Sequence, residues 1–296
     1  GPAISDEVQA AGGNINAYTT FDRTVYHIDG AAEAAGIFLD VLADICFGSI
    51  LPPEEVSKER DVILREIDMG LDDPDRRVSR TAFETAFLVH PYQHPVIGHR
   101  EVFESVMEKD LRNYYEARYA PNNAVLVIVG DVTAEHVRKL AQKHFGGLAM
   151  RRLESPFVPE EPAQLSRRAS HSVGNFNIVR GILTFPIPSL WDRQSPSLDV
   201  LANILGGGES SILWQRIREK EKLVHYIEVH CWNPGTNGLF WISYYCLPEN
   251  QGQVEESILK TLRDTTEGGI APSLLTKAVR QAILGEVNSR KTIIST

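Results

Sequence analysis

The hydrophobic pattern of this chain changes period several times, and each change marks an element. Residues 12–28, GGNINAYTTFDRTVYHI, pass from a Gly-Gly pair into the strand formers Tyr18, Thr19, Thr20, Thr24, Val25 and Tyr26. AAEAAGIFLDVLADICFG then has helical spacing, as do PPEEVSKERDVILREIDM (52–69), RRVSRTAFETAFL (76–88) and ESVMEKDLRNYYEARY (104–119). HPYQHPVIG (90–98) carries two prolines and reads as a loop. NAVLVIVGDV (123–132) is a continuous apolar run with the length of a buried strand. TAEHVRKLAQKHFGGL (133–148) has a Thr N-cap and a Gly-Gly stop, the marks of a helix. Residues 151–170 hold three prolines and no helical period, which predicts a linker. A strand (177–187) and a helix (195–208) follow. QRIREKEKLVHYIEVHCW then leads from helix into strand, and GLFWISYYCL is a further β-rich stretch. The final SRKTIIST reads as helix interior, and GPAISDEVQAAGG, without an initiator Met, reads as the middle of a domain. Both ends look cut.

One helix breaks its own pattern. At about 100° per residue, Val56, Ile63 and Ile67 of the 52–69 segment fall within roughly 40° of one another. Lys58, Asp61, Arg65 and Asp68 gather on the other side. Glu59 and Glu66, seven apart, are expected inside the apolar arc, between Val62 and Ile63. Burying ionised carboxylates is costly unless they are paired or bound to a metal. Either a buried Arg or helix N-terminus meets them, or they face a cation.

Composition narrows the classes. The chain is 43% hydrophobic and 23% charged, as in ordinary globular proteins, and its 296 residues suffice for two domains. No apolar run approaches a membrane span. The net charge of −9 is uneven: residues 1–150 hold 14 Lys+Arg against 24 Asp+Glu, a balance of −10, and the remainder 16 against 15, a balance of +1. That acidity argues against a nucleic-acid partner and favours basic ones. Cys46, Cys231 and Cys246 have no metal-ligand spacing and read as core thiols, pointing to a reducing, cytoplasmic compartment.

A repeat is also visible. LDVLADI (39–45) returns as LDVLANI (198–204), each after a β-rich segment, which predicts two homologous domains, 1–150 and 171–296, joined by the linker. The expected fold class is α+β, each domain an antiparallel-rich mixed sheet with helices packed on one face.

Five pieces, in order, carry a resemblance: GGNINAYTTFDRTVYH, EEVSKERDVILREI, HPYQHPVIG, YAPNNAVLVIVGDV and GGGESSILWQRIREKEKLVHY. Together they resemble the pitrilysin/insulinase family of zinc metallopeptidases, the inverzincins, in its bacterial, processing-peptidase-like branch. The resemblance implies a zinc ion held by H-x-x-E-H on one helix and a Glu on a later one. The later Glu matches Glu66, and the family's supporting acid seven residues earlier matches Glu59. H-x-x-E-H occurs nowhere in this chain; the resemblance places its second His about ten positions before Gly1. The chain by itself is therefore expected to be inactive. His90 and His94 have i, i+4 spacing, but Pro91 and Pro95 argue against a helix there, and they are not expected to bind zinc.

The resemblance further implies that Asn16, Ala17, Tyr18 and Thr19 form an edge strand on which an extended substrate adds as another strand. Arg218 matches the Arg of an Arg…Tyr pair that binds substrate backbone. The seventh residue on is His225, with Tyr226 adjacent, so either His replaces Tyr or the register slips by one. The implied protein is a zinc endopeptidase cleaving short or unfolded peptides in a clamshell chamber, as a homodimer or with a homologous subunit. The alternative is a catalytically silent homologue that serves as a partner or structural subunit.

Overall fold

The computed structural model describes residues 2–289, and the helix expected through 290–296 lies outside them. The fold is α+β, with small antiparallel sheets among helices. By their internal contacts the described residues divide into two compact units, 2–67 with 96–157, and 68–95 with 158–289. No described helix is long and apolar enough to cross a membrane.

The first unit begins with α1 (Pro2–Ala10) and the hairpin β1 (Asn14–Thr19) and β2 (Thr24–Asp29), paired antiparallel with Asn16 opposite His27. Helix α2 (Ala35–Phe47) packs on α1, and Phe38 and Val41 join Val8, Ile15 and Ile28 in a small core. Gly13 and Gly30 both lie against the Phe38 ring, which is why this hairpin opens and closes on glycine. Helix α3 (Pro53–Asp72) starts on proline with Glu54 and Glu55 in its first turn, where acids complement the helix dipole.

The second unit opens with α4 (Pro74–Ala86), capped by Asp73, whose side chain accepts from the Asp75 and Arg76 amides at 2.8 and 3.1 Å. The first unit resumes with α5 (Arg100–Ser105), α6 (Glu108–Arg118) and α7 (Ala134–Phe145), the last capped by Thr133 as expected. The Tyr115 hydroxyl staples the end of α2, donating to the Cys46 carbonyl and accepting from the Ser49 amide, both at 3.1 Å.

Residues 123–132 depart from expectation. They form no strand, and Val125 and Val127 are 88% and 74% exposed. Among the described residues β1 and β2 pair only with each other. Without a neighbour to complete its ladder, an apolar run does not become a strand.

Residues 151–170 have no regular structure. Beyond them β3 (Val179–Ile187), α8 (Ser195–Gly206), a π-helical turn (Trp214–Lys220), β4 (Tyr226–Trp232), β5 (Gly238–Cys246), α9 (Gln251–Gly268) and α10 (Pro272–Ser289) complete the second unit. The sheet order is β3-β5-β4, all antiparallel. Ile227, Val229, Phe240, Ile242 and Tyr244 alternate onto one face and pack with Leu205 of α8, Ile217 of the π-turn, and Val254 and Ile258 of α9. On the opposite face Phe83 of α4 meets Trp241 and Trp232, with ring centroids 5.3 and 4.7 Å apart.

Candidate functional site

On α3 the packed side runs through Val56, Arg60, Ile63 and Ile67, and Ile67 is the only fully buried residue of the helix. Arg60 explains why this arc is not wholly apolar. Its guanidinium donates to the Phe103 and Glu104 carbonyls at 3.2 and 3.4 Å and to that of Val106, meeting the carbonyls left open where α5 ends. It also lies 5.7 Å from the Phe103 ring centroid.

Glu59 and Glu66 do not face inward. Both are exposed, on a face they share with Val62 (44% exposed) and Met69 (69%). The reason is geometric: the packed arc is centred near Ile67 rather than Ile63, which turns the two acids and Val62 outward. Seven helical residues separate the acids by about 10.5 Å along the axis, too far for both to hold one ion.

Among the described residues, no three His, Cys, Asp or Glu side chains gather as a metal site. A zinc centre takes at least three protein ligands, so the described residues alone do not make one up. His90 is 3% exposed. Its Nδ1 accepts from the Tyr92 amide, and its Nε2 lies 3.3 Å from the Thr236 hydroxyl, which makes it a packed core histidine at the start of a short 3-10 turn.

Asn16, Ala17, Tyr18 and Thr19 all lie in β1 and are all exposed. The Asn16 side-chain oxygen accepts from the Ala17 amide at 2.8 Å, and Thr19 meets Thr24 across the hairpin at 3.2 Å. Tyr18 meets His27 edge to face at 6.2 Å. Among the described residues β1 pairs only with β2.

In the second unit the turn after the π-helix brings Arg218 to His225. Lys222 holds that turn at φ 56°. The Arg218 guanidinium lies 4.2 Å over the Trp214 ring, donates Nε–H to the His225 carbonyl at 3.0 Å and pairs with Glu219 at 2.8 Å. The His225 side chain is exposed. Tyr226 meets the edge of Trp214 and donates its hydroxyl to Glu228. Burial, and then that carboxylate, push the phenol up to about 12. Trp214 was absent from the sequence reading. Its place four residues before Arg218, on one side of a helix, was the available signal.

The comparisons agree with this architecture. The model for the insulinase domain of peptidase family M16 matches residues 2–100, and the model for the peptidase M16 inactive domain matches residues 105–282, more than half of the chain. An uncharacterized zinc protease of Mycobacterium leprae is 28% identical over 272 residues, 90% of this chain and 60% of that protein. Another from Bacillus subtilis is 28% identical over 283 residues, covering 94% and 67%. A crystal structure of a protease from Helicobacter pylori aligns with a TM-score of 0.94 at 24% identity, over 99% of this chain and 72% of that one. An M16-like peptidase from Alicyclobacillus acidocaldarius aligns at 0.85 and 23% identity, over 99% and 70%. At these identities the structures show the fold. The chain belongs to peptidase family M16, and it spans about 60% of the length of the mycobacterial and streptomycete relatives that it matches.

Proposed function

We propose that this chain is part of a zinc-dependent endopeptidase, to which it contributes one metal ligand and a peptide-binding edge. The observation that carries the reading is the outer face of α3. Glu59 and Glu66 stand there two turns apart beside two exposed apolar side chains, Val62 and Met69. Uncovered apolar surface beside paired acids fits one half of a site better than a solvated helix face. Relatives named zinc proteases support the same reading. In it Glu66 is the ligand and Glu59 orients its surroundings. An H-x-x-E-H helix preceding Gly1 supplies the remaining ligands and the general base. Asn16, Ala17, Tyr18 and Thr19 align an extended peptide along β1, and Arg218 with His225 or Tyr226 binds peptide backbone. The chamber is formed by two homologous subunits. The substrates are short or unfolded peptides, with basic ones favoured by the acidic first half.

The test uses the full-length polypeptide. Zinc stoichiometry and hydrolysis of quenched fluorescent peptides are measured for the natural protein and for Glu66→Gln. Loss of zinc, with a fall in kcat/KM of about 100-fold or more, is expected. A full-length protein that takes up no zinc, or a Glu66→Gln variant that keeps both zinc and activity, overturns the assignment. The first of these outcomes points instead to a silent partner subunit.

A further inference from the structure

The linker is fastened more firmly than its sequence suggests. Residues 158–170 have no regular structure, yet the Glu161 side chain is only 12% exposed. Its carboxylate accepts three successive amides: Leu88 at 2.8 Å on Oε1, and Val89 and His90 at 3.0 and 2.9 Å on Oε2. Consecutive amides converging on one point form a nest for an anion, and here the chain fills it with its own carboxylate. Arg168 closes the other end, donating to the Ala86 carbonyl at 2.9 Å, where α4 leaves its last carbonyls open, and standing 3.8 Å from Glu161. Arg167 pairs with Glu255 of α9 at 3.0 Å.

Between these fastenings the linker crosses a cleft of about 120 Å³. Pro162 and Gln164 of the linker line it together with Phe87, Pro186, Ile187 and Leu239. Leu165 points away and is 95% exposed, so the crossing is held by charge and hydrogen bonds rather than by its largest side chain.

We propose that residues 161–168 are a releasable strap over this cleft, held shut by the ionised Glu161 carboxylate and opened when that charge is lost. A protonated carboxyl is a weaker acceptor for three amides and no longer attracts Arg168. The groups facing Glu161 are Arg168 and the amides of 88–90. The His90 ring is turned to Tyr92 and Thr236. The net effect of the three amides and Arg168, against the opposing effect of burial, holds the carboxyl below its usual range. The strap is therefore shut above the ordinary carboxyl pKa and opens as pH falls through the lowered one. This inference does not depend on peptidase activity.

Site-resolved amide exchange on the 296-residue chain tests it. In Glu161→Gln, the amides of Leu88, Val89 and His90 are expected to exchange about tenfold faster, and trypsin to cut sooner after Arg167 and Arg168, with the core strand amides unchanged. In the natural protein the same amides lose protection reversibly on acidification, after correction for the intrinsic rate. Unchanged exchange at 88–90 overturns the proposal. So does a loss of protection spread evenly over the second unit, in either the variant or the acid titration.

Discussion

Gly13→Ala tests the packing of the first unit most directly. Gly13 does not have a positive φ, so an alanine there carries no backbone strain. On unfolded-state entropy alone, the substitution would stabilise by about 0.4–1 kcal/mol. The surroundings reverse that sign. A Cβ at position 13 would stand 2.7 and 2.8 Å from two atoms of the Phe38 ring and 3.0 Å from a Val8 methyl, whereas carbon contacts relax at about 3.5–4.0 Å. The ring has little room to shift, because both Phe38 and Val8 are buried and Gly30 crowds the same tip of the ring. Overpacking of this kind costs about 1–3 kcal/mol, leaving a net loss of roughly 1–2 kcal/mol. All four tryptophans lie between 191 and 241, in the second unit, so indole fluorescence would miss the change. Amide exchange at Val8, Phe38 and Val41, with thermal melts followed by circular dichroism, reads it. Phe38→Leu opens the space, so the double variant is expected to lose less than the sum of the singles by at least about 0.5 kcal/mol. A neutral or stabilised Gly13→Ala, or strict additivity, would refute the wedge.

Arg60→Met keeps the aliphatic stem but leaves the Phe103, Glu104 and Val106 carbonyls without their donor. A loss of about 1–3 kcal/mol is expected in denaturant melts of the first unit, and a change under 0.5 kcal/mol contradicts the capping role. Burial raises all three thiols, Cys231 to about 12, with Asp199 adding to it, and Cys246 to about 11, with Glu255 and Glu249 adding to it. Iodoacetamide at pH 8 is then expected to label the native chain slowly and to reach three thiols only on unfolding. Stability is expected to fall as pH rises above about 8.5, where only unfolded thiols ionise; rapid native labelling would count against both statements.

Legibility varied with range. The Thr133 cap, the helix over 35–47 and the strand over 179–187 were all readable, because caps and periodicity act within a few residues. The role of Arg60 was not legible, because its partners are carbonyls some forty positions away. The acids of α3 were placed inward because three apolar residues suggested the centre of the packed arc, while Ile67 and Arg60 set it. For the second-unit pair, the sequence left His225 and Tyr226 as equal candidates beside Arg218. The structure shows the Tyr226 hydroxyl committed to Glu228 and the His225 backbone bound to Arg218.

What the sequence by itself determined was the order of elements, the family pattern and the candidate residues, since local propensity and motif spacing are properties of short segments. What only tertiary structure decided was direction and partnership. It showed which way α3 turns its acids, that no described strand pairs with 123–132, and that a linker with three prolines is fastened by Glu161, Arg167 and Arg168. These depend on groups far apart in sequence meeting at hydrogen-bond distance, and a periodicity of two or 3.6 residues carries no record of what lies across the contact.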